Sequence, residues 1–329
     1  MSADRIHLSV AEAREHSEHA LRGIGYDTEE ARIIADHAID AALCGYEYSG
    51  LAKLLNIPEH RRFKRPRSAM RVLRETELST LYDGGNNVGM LVMYHAARVA
   101  IDKAATRGVA IVGVTNSWMS GRSAYYMEMI AKADLVGIHT AASARSVAPF
   151  GGTRPALGTN PIAFGMPSLR GPVVLDMGTS AFMGTDLAYR ARVGQLLPEG
   201  VAVDAEGLPT RDPAVAGLGA LLPFGGYKGF GLAFIVQALG VLAGSALDPD
   251  QDDGYLFIVL KPELLIDPDD FKNQISALID RIKATPRQPG VDEIRIPGER
   301  AFRSREQALR DGIEIDRVVY EALKSLHLD

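Results

Sequence analysis

The sequence predicts an α/β protein in which helices from the two chain ends accompany a central sheet. Three observations carry this. Residues 9–44 and 302–326 place apolar side chains at helical spacing. Short runs rich in β-branched residues fill the middle of the chain. No G-x-G-x-x-G follows any of those runs and no G-x-x-x-x-G-K-[ST] occurs, so a nucleotide bound here needs a scaffold other than the common phosphate loops.

In chain order, Ser9 and Glu12 form a capping-box pair opening a helix over 9–24, with Gly25 after its end. Asp27 N-caps a second amphipathic helix over 28–44. Segment 45–68 is turn-rich and basic; its run 60–67 reads as a solvated linker, or else as a patch that attracts an anion. A helix is expected at 91–107, ending near Gly108. Strands are expected at Val109–Thr115 and Leu135–His139 with a helix (122–133) between them, then at Pro161–Pro167 and Val173–Met177. Segment 181–223 carries Gly, Pro and Asp turn signals. Then follow a helix at 228–243, a strand at 254–260, a helix at 267–285, a possible last strand at Val291–Ile296, and short helices at 302–311 and 315–326. This order suggests a helical domain formed by the termini (1–68 plus 286–329) and a sheet domain (69–285).

The chain has 329 residues, 47% hydrophobic and 23% charged, as a globular protein does. Its net charge of -5 argues against a general nucleic-acid partner. The apolar stretch 230–247 is interrupted by Gln237, Ser245 and glycines, so it reads as a buried helix and not a membrane span. With no apolar leader visible and one cysteine, Cys44, a cytoplasmic location is expected. Cys44 closes the apolar face of a helix and behaves as a small hydrophobe.

Metal chemistry finds no support. His16 and His19 are one turn apart without a third ligand, and His7, His37, His60, His95, His139 and His327 are scattered. Asp248, Asp250, Asp252, Asp253 and Gly254 depart from a calcium loop, with Val259 where the closing glutamate belongs. No G-x-S-x-G elbow marks a nucleophilic serine. What remains is a set of glycine-studded loops, 145–162 and 223–231, with the Asp176–Ser180 segment and the 204–213 turn: a pocket made of loops around a sheet.

These segments resemble the malate/L-lactate dehydrogenase family, which lacks a Rossmann fold and includes sulfolactate, ureidoglycolate and diketogulonate oxidoreductases and cyclic-ketimine carboxylate reductases. The resemblance rests on Asn116-Ser117, Tyr125-Tyr126, Ala148-Pro-Phe-Gly-Gly152, Leu157-Gly-Thr-Asn-Pro161, Val174-Leu-Asp-Met-Gly-Thr-Ser180, Asp204-Ala-Glu-Gly207, Thr210-Arg-Asp-Pro213, Leu222-Pro-Phe-Gly-Gly-Tyr-Lys-Gly229 and Ile296-Pro-Gly-Glu-Arg300. It implies a non-Rossmann, largely antiparallel central sheet, a homodimer, and a NADPH or NADH cofactor held by Gly178, Thr179, Ser180, Ala181, Phe182, Met183, Tyr227, Lys228, Gly298, Glu299 and Arg300, with Pro149, Thr159 and Asn160 bordering the pocket.

Two departures bear on chemistry. The family pattern Gly-x-Asp-Ser-His-Gly is here Gly45-Tyr-Glu-Tyr-Ser-Gly50, with Ser49 at the histidine position and Tyr48 before it. In Asn116-Ser-Trp-Met-Ser-Gly121, Met119 replaces the second histidine, and Met119, Trp118, Thr159 and Asn160 are expected to contact the substrate. Lys53 aligns with an arginine and holds a carboxylate as a point charge. Ketone reduction needs a proton, and general-acid help is worth roughly 10²–10⁴-fold. Tyr48 supplies it only if a cation such as Lys53 lowers its pKa. A protonated imine needs no such donor. The expected reaction is therefore NAD(P)H-dependent reduction of an imine carboxylate, with Asp204 or Asp212 favouring the iminium charge. The alternatives are a 2-hydroxy acid/2-oxo acid dehydrogenase using Tyr48, or a catalytically silent nucleotide-binding protein.

Overall fold

The computed structural model describes residues 4–248 and 252–326; Asp250 and His327, named above, lie outside them. The chain opens with β1 (Arg5–Leu8), α1 (Val10–Gly23), α2 (Thr28–Leu43) and α3 (Leu51–Glu59). Both expected caps form: the Ser9–Glu12 and Asp27–Glu30 pairs each satisfy the other's backbone N–H. Next come β2 (Arg71–Glu75), β3 (Ser79–Val88), α4 (Gly89–Arg107), β4 (Val109–Trp118), α5 (Ser123–Lys132), β5 (Val136–Ala142), β6 (Ile162–Met166) and β7 (Val173–Met177). The second half contains α6 (Gly184–Val193), β8 (Ala202–Val203), α7 (Pro213–Leu218), β9 (Ala220–Leu221), α8 (Tyr227–Leu242), β10 (Gly254–Leu260), α9 (Pro268–Lys283), α10 (Glu299–Asp311), β11 (Ile313–Asp316) and α11 (Arg317–Lys324).

Seven strands make the central sheet, in the order β2-β3-β4-β10-β5-β6-β7. Only β3 and β4 run parallel; the other pairs are antiparallel, as the family resemblance implies. Period-two alternation sorts the two faces. Val112, Val114, Phe257 and Val259 pack against the alanine-rich side of α4. Gly113 points the other way, where a Cβ would meet Ala243 just beyond α8. On that face α8 comes so close that a Cβ on Gly254 would stand 2.5 Å from the Gly240 carbonyl oxygen, which neither position could accept. A second apolar cluster joins α1, α2 and α3 to β11 and α11, and β1 pairs antiparallel with β11.

Several expectations are corrected. Residues 291–296 form no strand; they run mostly exposed after the left-handed Gly290 and pair with no strand of the sheet. The basic segment contains α3, and Arg62 is not solvated: it is buried and donates to Asn86, Asn116 and the Ser117 carbonyl. The turn-rich region holds α6 and α7. α8 is not a buried helix, because only Gly229, Ala233, Val236 and Gly240 are covered while Phe234, Ile235 and Leu242 stay exposed. Among the described residues, no helix is long and apolar enough to cross a membrane.

Candidate active site

A cavity of about 420 Å³ opens where the turn before α3, the end of β4, the end of β7 and the start of β10 converge. Its position follows from two close approaches. Gly50 lies against α2, where a Cβ would stand 2.9 Å from that of Ala42, and this brings the turn and α3 inward. Gly121, at φ +79°, leaves room for His37, whose Nε2 accepts the Arg122 backbone N–H at 2.8 Å.

Lys53 sits in the first turn of α3 and reaches the cavity wall with 5% of its surface exposed. Burial brings its ammonium down to about 8. No side chain among the described residues pairs with it. A buried cation without a counter-charge is costly, and an anion in the cavity relieves that cost.

Tyr48 and Ser49 line the same wall. Burial pushes the Tyr48 phenol well above its ordinary value, and Tyr46, Asp186 and Asp176 push the same way; Arg300 opposes them. The expectation that Lys53 lowers this phenol is corrected: burial outweighs the nearby cations, the phenol is raised and not lowered, and Tyr48 stays protonated as a weak acid. Glu47, in the same turn, ties it to Arg5 and to Tyr189 of α6.

Met119 lines the cavity but Trp118 does not. The indole is fully buried, donates to the Asn86 carbonyl at 3.0 Å, and stacks on His60 at 4.3 Å with the rings 2° from parallel. His60 is the residue that reaches the cavity, so the site does contain a histidine, from a position the motif comparison passes over. Burial, with Arg61 and Arg62, brings its imidazole down to about 4, so it is neutral.

Thr159 lines the cavity, whereas Asn160 is buried behind it, bonded to Ser143, Ala233 and Gln237. Asn160 at φ +36° is a brace and not a substrate contact. In the segment expected to hold the cofactor, Gly178 and Met183 line the cavity; Thr179, Ser180, Ala181 and Phe182 shape the loop through bonds to Thr159, Leu222 and one another. Pro149, Tyr227, Lys228, Gly298, Glu299 and Arg300 lie outside the lining. Arg300 supports it from behind, its guanidinium 4.5 Å over the Tyr46 ring, while Glu299 is engaged by Lys283 at 2.7 Å.

Asp204 and Asp212 are corrected as charge partners for an iminium. Asp204 accepts the N–H groups of Glu206 and Leu208 in its own turn, and Asp212 caps α7. The carboxylates that do line the cavity are Asp176 and Asp253. Asp176 accepts the Ala124 N–H at 2.8 Å, fixing the start of α5. Burial raises Asp253 to about 6, partly offset by Arg62 at 3.7 Å. Asp176 belongs to the Val174–Ser180 motif, whereas Asp253 is brought to the wall by the pairing of β10 with β4 and β5.

Arg122 Nε and Ser123 Oγ are buried without a hydrogen-bond partner among the described residues, and both residues line the cavity. With the Tyr46, Tyr48 and Met183 side chains around them, they fit the amide edge and flat ring of a nicotinamide.

The family model for malate/L-lactate dehydrogenase matches residues 8–324. The L-sulfolactate dehydrogenase of Methanothermobacter thermautotrophicus is 35% identical over 316 residues, covering 92% of this chain and 91% of the relative. The Delta(1)-pyrroline-2-carboxylate/Delta(1)-piperideine-2-carboxylate reductase of Pseudomonas syringae pv. tomato is 37% identical over 259 residues, covering 74% and 73%. Among solved structures, the sulfolactate dehydrogenase of Methanocaldococcus jannaschii superposes with a TM-score of 0.85 at 32% identity, over 98% of this chain and 96% of that one.

Proposed function

The chain belongs to the malate/L-lactate dehydrogenase family of oxidoreductases, and from that premise we propose that it reduces the C=N bond of a cyclic or substituted imine carboxylate with NADPH or NADH. The observation that carries this reading is the buried, unpaired Lys53 ammonium on the cavity wall, a site for the substrate carboxylate. The reduced nicotinamide, when bound, supplies hydride. Arg122 and Ser123 would hold its amide edge, with Gly178 and Met183 of the neighbouring loop beside the ring.

The choice of imine over ketone rests on proton supply. A ketone becomes an alkoxide as hydride arrives and needs an acid matched to neutral pH. Of the groups on the wall, Tyr48 holds its proton too tightly and His60 is neutral, while the two nearer neutrality have other partners in this reading: Asp253, at about 6, faces Arg62 at 3.7 Å, and Lys53, at about 8, takes the substrate carboxylate. An imine protonated before binding leaves as an amine without a proton transfer at that step. One relative, the Pseudomonas syringae enzyme, carries such a substrate in its name, which supports the reading.

A 2-oxo acid/2-hydroxy acid reaction is the second reading, favoured by the sulfolactate relatives. Steady-state rates with 1-pyrroline-2-carboxylate, pyruvate and oxaloacetate, each with NADPH and NADH, separate the two. Oxo-acid turnover equal to or above that of the imine would defeat the first. Tyr48→Phe should then lower kcat by orders of magnitude, against a mild loss for imine reduction. Cofactor binding without oxidation under any substrate would point to a silent protein.

We also propose a homodimer, with the exposed apolar face of α8 (Phe234, Ile235, Leu242) as the surface between copies.

A further inference from the structure

A lysine grips a carboxylate at one point, whereas an arginine offers a two-pronged fork. With Lys53 alone, a planar acid would be held but free to pivot. The wall beside Lys53 carries a second donor. His60 lines the same cavity, and Lys53 is among the cations that help keep its imidazole neutral.

The ring of His60 is fixed in orientation and in tautomer. One face lies on Trp118, which is itself anchored to the Asn86 carbonyl. Its Nδ1 accepts the backbone N–H of Arg62 at 3.3 Å, so the ring proton sits on Nε2. Nε2 has no partner among the described residues. A neutral imidazole contributes neither charge nor an acidic proton; it contributes one directed N–H. A protonated imine nitrogen has no lone pair to receive that N–H, but a carboxylate oxygen beside Lys53 does.

We infer that His60 Nε2–H is the second prong of the substrate-carboxylate site, Lys53 being the first, so that the pair orients the acid as an arginine fork would. This rests on the reading that a carboxylate substrate occupies the cavity, and the test separates the two.

The probes are pyrrole-2-carboxylate, a flat cyclic acid, and pyrrole-2-carboxamide, its neutral counterpart. They are titrated calorimetrically into wild type, His60→Phe, His60→Gln and Lys53→Met in the presence of NADP⁺ or NAD⁺, whichever the wild type binds. His60→Phe keeps a ring against Trp118 and removes the donor. It should weaken the carboxylate roughly 10- to 100-fold, the range for losing a hydrogen bond to a charged group. The carboxamide should change little, and His60→Gln, which retains an N–H, should recover most of the loss. In turnover, KM should rise with kcat nearly unchanged. Equal weakening of both probes would mean a merely structural role and overturn the inference, as would unchanged carboxylate affinity.

A measurement on the wild type needs no variant to fold. In protein labelled with ¹⁵N-histidine, the His60 Nε2–H resonance should move downfield with the carboxylate and not with the carboxamide. A stationary resonance overturns the inference while leaving the carboxylate reading intact. If Lys53→Met binds the carboxylate as wild type does, the carboxylate reading fails and takes this inference with it.

Discussion

At the scale of single residues, the proposed carboxylate anchor Lys53 should determine how the site responds to pH. Burial brings its ammonium down to about 8. The charged form is what holds a carboxylate, so affinity should be full below that value and fall as pH rises through it. KM for the acid substrate should climb about tenfold per pH unit above 8, once the loss is dominated by this one deprotonation. Lys53→Arg should remove the part of that rise that Lys53 sets, because guanidinium stays charged throughout, and leave only the part due to the imine losing its own proton. A KM–pH profile of both proteins checks this; a flat wild-type profile would count against Lys53 as the anchor. Tyr48 does not share that dependence, because burial keeps its phenol protonated over the whole working range.

At the scale of elements, the turn between β4 and α5 holds the floor of the site. Gly121 combines φ +79° with a site where a Cβ would meet His37 Nε2 at 2.1 Å. Gly121→Ala should displace His37, break its bond to the Arg122 N–H, and destabilise the protein by about 2–4 kcal/mol, read from denaturant unfolding. On the other side of the sheet, Phe234→Glu with Leu242→Glu on α8 should convert a dimer to a monomer by light scattering; a wild-type monomer would refute the proposed interface. These elements also show how far sequence reading carried. The strand at 254–260 was legible because its apolar run is bounded by turn signals, and α1 and α2 because their caps are explicit. α3 was hidden by Pro58 and the basic run behind it, and α6 by its lack of any buried face. In the site, Tyr48, Ser49, Lys53, Met119, Thr159, Gly178 and Met183 were found through motif positions. His60, Arg122 and Asp253 were not, because their place on the wall comes from stacking, ion pairing with Asp40 and strand register, none of which leaves a local pattern.

At the scale of the whole molecule, tyrosine burial sets the alkaline limit. Tyr126 and Tyr255 are fully buried, and burial raises both phenols well above their ordinary value of 10.0. Tyr26 and Tyr125 shift the same way. In the unfolded chain each would ionise near pH 10, so their stabilisation is complete below that value and drains away as pH rises above it. Each of the two fully buried phenols should cost about 1.4 kcal/mol per pH unit there. The thermal midpoint should hold to about pH 10 and then drop steeply; a midpoint flat to pH 11 would contradict the burial. The ladder of β1 with β11 has a different consequence. Arg5 stands opposite Asp316 and Leu8 opposite Ile313, so the first and last strands already lie side by side. A circularly permuted chain, relinked from beyond α11 to the start of β1 by a flexible linker and reopened at the exposed turn around Arg170, would keep α11 and all seven sheet strands whole and should melt cooperatively by circular dichroism.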